Sequence, residues 1–165
     1  MFIFGNLSGF SKAILFSKED LIVEKRDTFD LLFLPDCELT EEIGKPQVPI
    51  RAQVFPIPKG SKISEVKISE VELETLPGNF LIFPSQKQYP LSLLPEKIDF
   101  IPPNPLVYQS ERIYPGKVWE FVGIGKKGEE RFAEFLIYPI HYLPREKKVI
   151  FYKKIKLSLN FITEE

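Results

Sequence analysis

Polar and apolar residues alternate without a slip near the end of the chain. Ile155, Leu157, Leu159 and Phe161 share one parity, and Lys154, Lys156, Ser158 and Asn160 take the other. Successive side chains in a strand point to opposite faces, so this spacing predicts a strand with one buried face. Upstream, Ala133, Phe135 and Ile137 share a parity, with charged Glu134 between them, and the run stops at Pro139, whose missing N–H cannot serve a central ladder. Residues 143–148, Leu-Pro-Arg-Glu-Lys-Lys, are polar and turn-prone. The chain from Val149 is therefore expected to return antiparallel to the strand before it, as a hairpin.

The same reading along the rest of the chain predicts short strands at 12–16, 19–24 and 28–34, the last ended by Pro35, and leaves acidic residues 36–43 as a loop. Breakers at 44–49 and at Pro56, Pro58 and Gly60 bound a strand at 50–55. From 64 to 76 the apolar parity flips: Val66 and Ile68 are even, Val71 and Leu73 odd, which predicts a β-bulge near Ser69 and Glu70. The repeated Ile-Ser-Glu-Val at 63–66 and 68–71 has far too short a period for a solenoid. Pro77-Gly78 marks a turn, 80–83 a short strand, and 84–105 a proline-studded extended connection. Tyr114-Pro115-Gly116 marks another turn. A strand at 118–124 then leads into the charged, glycine-flanked tip 125–130. Roughly eight to ten strands at this spacing predict an all-β fold, an antiparallel β-sandwich or jelly-roll-like domain spanning 1–165.

Composition supports that class. A length of 165 residues suits one domain, and 15 Phe and 6 Tyr supply an aromatic core, while 15 Pro disfavour long helices. Charge narrows the partners: 22 basic residues against 23 acidic give a net charge of −1, with no field for nucleic acid or an anionic membrane. No apolar run reaches the length of a membrane span, and no export signal is visible at the start.

Candidate chemistry is sparse. The single cysteine, Cys37, excludes an internal disulfide, and the single histidine, His141, falls at a strand end where a structural imidazole is expected. A Cys37–His141 catalytic pair needs the fold to join two distant segments. One His and one Cys make a nitrogen–sulfur metal site improbable, and the carboxylate pairs Glu41-Glu42 and Glu129-Glu130 are adjacent, so in a strand they diverge. With no phosphate loop, nucleophile elbow or metalloprotease helix, the chain is expected to be non-catalytic, without metal or cofactor. The aromatic residues are expected in the core; their alternative use is a row of exposed Tyr or Trp119 for stacking on a glycan.

Two blocks of residues carry a family likeness. Gly44-Lys45-Pro46-Gln47-Val48-Pro49, followed by Val54-Phe55-Pro56-Ile57-Pro58-Lys59-Gly60-Ser61-Lys62-Ile63, resembles the early block of gingipain-type cysteine peptidase propeptides. The later block is similar to that family's final corner and hairpin: Tyr114-Pro115-Gly116, the 125–128 tip, and Tyr138-Pro139-Ile140-His141-Tyr142-Leu143-Pro144 followed by Val149-Ile150-Phe151-Tyr152. The likeness covers about 44–161. It implies an N-terminal, all-β prodomain of a secreted bacterial peptidase, one that assists folding and keeps the enzyme latent by covering its active site. The implied partner is the cognate cysteine peptidase catalytic domain, in cis and C-terminal. The implied location is secreted or cell-surface. Some members present a basic side chain to the specificity pocket, and the candidates here are Lys126, Lys127 and Arg131, on a tip that Gly125 and Gly128 let project. The competing expectation is an extracellular β-sandwich module binding glycan or protein.

Overall fold

The computed structural model describes residues 7–163, with side chains from Gly9 onward; the opening residues 1–6, on which the export-signal reading partly rests, lie outside them. Ten strands run through the described residues: β1 (Leu7–Leu15), β2 (Ile22–Arg26), β3 (Phe29–Phe33), β4 (Glu38–Leu39), β5 (Pro49–Ile57), β6 (Ser61–Thr75), β7 (Trp119–Lys127), β8 (Glu130–Ile137), β9 (Ile140–Leu143) and β10 (Lys148–Thr163). The one α-helical turn among the described residues is α1 (Pro105–Tyr108), capped by Asn104 Oδ1, which accepts the Leu106 N–H at 3.0 Å.

Two antiparallel four-stranded sheets face each other. One has the order β1-β10-β6, with β9 also on β10; the other has the order β4-β5-β8-β7, and β2 and β3 form a separate ribbon. The strict alternation on β10 is why it is central. Ile155, Leu157, Leu159 and Phe161 are at most 1% exposed, and they meet Phe55, Ala133, Phe135 and Ile137 of the opposite sheet in a single hydrophobic cluster. The rings interlock edge-on: Phe10 of β1 meets Phe55 at 5.8 Å, and Phe55 meets Phe135 at 5.4 Å. Edge-to-face pairs of this kind add about 0.5–1.5 kcal/mol beyond the area they bury. The architecture is the all-β antiparallel sandwich that the alternation predicts.

The parity flip on β6 is a bulge at Ser69: Glu70 pairs with Lys156 and Ile68 with Leu157, leaving Ser69 as the extra residue. Two further bulges fall on this pair, at Ser64 of β6 and at Lys153 of β10.

The structure departs from the predicted hairpin. β8 pairs with β5 and β7, never with β10; the hairpin to β10 is made by β9, with Tyr142 opposite Val149. Pro139 does not simply end a strand. It stands where the chain passes from one sheet to the other, and its carbonyl accepts the Tyr152 N–H at 2.8 Å. A residue without an N–H fits there because neither ladder asks it for a donor. Smaller differences have similar causes. Residues 18–20 form a 3₁₀ turn before β2 instead of joining it, and the predicted loop 36–43 contains the two-residue β4. Residues 80–83 form only an isolated bridge, Ile82 to Asp30. That segment is held by backbone bonds to Asp30, Gln47 and Lys147 and also by side chains: Tyr108 Oη donates to the Ile82 carbonyl at 2.6 Å, Tyr142 Oη to that of Phe80 at 2.7 Å, and Asp30 Oδ2 accepts the Leu81 N–H at 2.8 Å.

Candidate functional site

The three cations singled out from the sequence sit on one hairpin. β7 and β8 run into a two-residue connection, Gly128-Glu129, with Lys127 opposite Glu130 and Lys126 opposite Arg131. Gly128 takes a φ of 64°, the value a tight hairpin needs at its first central residue and one that glycine adopts without a Cβ penalty. The strands stay paired to the last residue, so the tip is a rigid hairpin and not a loose loop. Gly125 has a different reason. A Cβ there would lie 2.4 Å from Cε2 of Phe132, so the glycine leaves room for that ring to lie across the strand.

Opposed residues of a ladder share a face, and this separates the three cations. Lys126 and Arg131 lie on the parity of Ala133 and Phe135, and Lys127 on the other. Lys126 and Lys127 are exposed, whereas Arg131 is half-buried and its guanidinium donates to the Ser61 carbonyl at the start of β6. Arg131 therefore ties the hairpin to the opposite sheet.

His141 is 3% exposed on β9. Its Nε2 lies 3.1 Å from the Tyr138 carbonyl, and its ring stands 4.8 Å from that of Tyr152. Burial pushes its pKa down to about 4, so the ring is neutral at pH 7. Cys37 is half-buried between β3 and β4, and burial raises its thiol pKa despite the nearby Arg51. A buried neutral imidazole committed to a backbone carbonyl, and a thiol held protonated, are structural groups. Beside β7, Tyr138 donates to Glu120 at 2.8 Å and Lys117 approaches the same carboxylate at 2.8 Å. The bond from Lys117 holds the Glu120 carboxyl below its usual range, and burial raises the Tyr138 phenol. Neither group is poised to exchange a proton near neutrality. No group of three or more His, Cys, Asp or Glu among the described residues could hold a metal ion.

Among the described residues, the expected row of exposed Tyr or Trp119 is absent. Trp119 and all six tyrosines are buried or half-buried, and Trp119 packs edge-on against Phe135 at 5.8 Å. The glycan-binding expectation loses its basis, because none of these rings is exposed and Trp119, Tyr108, Tyr114, Tyr142 and Tyr152 pack in or against the core. The large hydrophobics exposed on the described surface are mostly aliphatic, with Phe100, Phe121 and Phe10 the aromatic exceptions. Leu91, Leu93, Leu94 and Ile98 in the proline-studded connection are 90%, 71%, 52% and 59% exposed, and Val122 and Ile124 of β7 are 53% and 54% exposed. The sequence reading missed these as surface features: apolar residues without periodicity carry no signal of which way they face.

Comparison with known proteins is informative at the level of family and fold. The Propeptide_C25 family matches residues 16–165, a wider span than the motifs at 44–161 implied. No curated protein sequence matches the chain. Among solved structures, the complex of Porphyromonas gingivalis RgpB pro- and mature domains is similar with a TM-score of 0.76 at 15% identity, covering 99% of this chain and 83% of that one. A structure addressing the zymogenic latency of gingipain K from Porphyromonas gingivalis is similar with a TM-score of 0.76 at 18% identity, covering 98% and 90%.

Proposed function

The chain belongs to the Propeptide_C25 family, and from that premise we propose that it is the non-catalytic prodomain that keeps a gingipain-type cysteine peptidase latent by covering its active site. The family match over residues 16–165 carries this reading. The fold supports it, since it is shared with the prodomain side of a pro–mature complex and of a zymogen. A buried neutral His141 and a protonated Cys37 leave the domain without a nucleophile–base pair of its own.

The partner in this reading is the catalytic domain of the same precursor, C-terminal to the prodomain, and the prodomain also assists that domain's folding. The setting is secreted or cell-surface; no helix among the described residues is long and apolar enough to cross a membrane. A rigid sandwich suits the task, because a preordered surface loses little conformational entropy on binding. Within the hairpin, Lys126 and Lys127 are the cations offered to a specificity pocket, with Arg131 holding the hairpin in place. The test is inhibition in trans by the isolated domain. Added to the separately produced catalytic domain of its precursor, it should suppress peptide hydrolysis at stoichiometric amounts, and Lys126→Ala/Lys127→Ala should relieve the inhibition. A precursor without a cysteine peptidase domain, or hydrolysis indifferent to the added chain, would overturn the reading.

A further inference from the structure

β7 is the outer strand of its sheet, and among the described residues β8 is its only ladder neighbour. Alternate residues of a ladder turn their N–H and C=O groups to the neighbour, and the rest turn them away. At one end the Tyr138 N–H donates to the Val118 carbonyl at 2.9 Å, so Val118 and Glu120 face β8 and Trp119 and Phe121 face outward. At the other end Lys127 and Glu130 close the two-residue connection, so Lys127, Gly125 and Gly123 face β8 and Ile124 and Lys126 face outward. The two halves meet at a bulge, where Val122 and Gly123 stand together against Glu134. An open ladder takes an extended strand as its partner, because a strand supplies donors and acceptors at the matching repeat.

We propose that this strand is β7 of a second copy of the chain, paired antiparallel about a two-fold axis that passes between Val122 and Gly123. Three features of β7 choose this occupant. The outward-facing residues Trp119, Phe121, Ile124 and Lys126 have the same spacing read from either end, so each meets an outward-facing residue of the copy: Phe121 opposite Ile124, and Trp119 opposite Lys126. The bulge fits as well. A regular strand would set one residue against Val122 and Gly123, whereas the copy sets two against two. The side chains match in chemistry. Phe121 and Ile124, about half exposed, cover each other on both sides of the axis and extend the apolar row of Phe135, on which Phe121 packs at 5.4 Å. On the other face the part-exposed carboxylate of Glu120, held by Lys117 and Tyr138, gains Lys127 of the second copy diagonally across the ladder. Antiparallel pairing thus brings the acidic end of one β7 to the basic end of the other. The contact is isologous and closes on itself. It also occupies Lys126 and Lys127, so self-pairing and pocket entry by these lysines exclude each other. The inference concerns the chain alone and does not depend on the latency reading.

The experiment follows the mass of the purified chain by sedimentation as its concentration is raised, together with amide exchange at low and high concentration. The wild type should pass from monomer to dimer, and the amides of Phe121, Ile124 and Lys126 should gain protection as it does. Ile124→Pro removes an outward N–H that the ladder to β8 does not use, and it should stay monomeric. Lys127→Glu sets acid against Glu120 of the second copy and should weaken the dimer about tenfold. The exchange measurement needs no variant, so it decides the matter even where Ile124→Pro fails to fold. A wild type that is monomeric at every concentration would overturn the proposal. So would a dimer that both variants retain while the β7 amides exchange freely, since another face would then hold it. Protection of these amides only on adding the peptidase catalytic domain would overturn it too, the occupant then being a strand of the peptidase.

Discussion

β10 and the 86–101 loop, whose ends Gln86 fastens, both carry large apolar side chains, and the best-placed of them have opposite fates. Phe151, Ile155, Leu157, Leu159 and Phe161 of β10 are at most 1% exposed, whereas Leu91, Leu93, Leu94, Ile98 and Phe100 are 52–90% exposed. Hydrophobicity is comparable, so it does not decide. Backbone chemistry does. β10 has N–H groups for ladders on both edges and takes β1 and β6 as neighbours. The loop region holds Pro84, Pro90, Pro95, Pro102 and Pro103, which offer no donors and cannot extend a sheet. Residues 90–100 join no ladder, and their side chains stay exposed.

That contrast can be broken experimentally. The largest effect is expected from Phe151→Ala in β10, which should cost about 4 kcal/mol in denaturant unfolding, because a fully buried ring leaves a cavity. A loss below about 1 kcal/mol would mean that β10 is not the centre of the core. Next is the pH dependence carried by His141, which pairs with β10 through β9. Its folded pKa, about 4, lies below its ordinary 6.5, so the unfolded chain binds the extra proton between these values. Its contribution to stability is complete above about pH 6.5 and is lost as pH falls towards 4, by up to roughly 3 kcal/mol. Stability curves of the wild type and His141→Gln should converge on acidification; parallel curves would remove the imidazole as the cause.

Smaller effects sharpen the other side of the comparison. Gln86→Ala should lower global stability by only about 1–2 kcal/mol, because it leaves the Ile101 N–H without its partner. Amide exchange across 87–100 should rise while that of β10 stays put. Leu93→Ala should change stability by less than about 0.5 kcal/mol, against the several expected in β10. A large loss at Leu93 would mean that the loop folds back on the body in solution.

Much of this fold was legible residue by residue. The alternation from Ile155 to Phe161 identified the central strand, and the flip between Ile68 and Val71 located the bulge at Ser69, since both are consequences of the two-residue period. The Gly128 tip was legible because a tight hairpin demands a positive φ. The partner of β8 was not, because a proline after Ile137 looks the same whether a strand ends or changes sheet. The hairpin cations were visible as residue types. That Arg131 is spent on the Ser61 carbonyl depends on a strand 70 residues away in sequence.

The sequence by itself determined the class of fold, the central strand and its bulge, the absence of a motif for catalysis, and the likeness to a peptidase propeptide. Each is written in local periodicity or in short motifs. Tertiary structure decided which strands share a sheet, that Tyr142 and Trp119 pack in or against the core, and that the leucines of the 86–101 loop face outward. These depend on contacts between residues distant in the chain, and burial is a property of the assembled surface rather than of any residue alone.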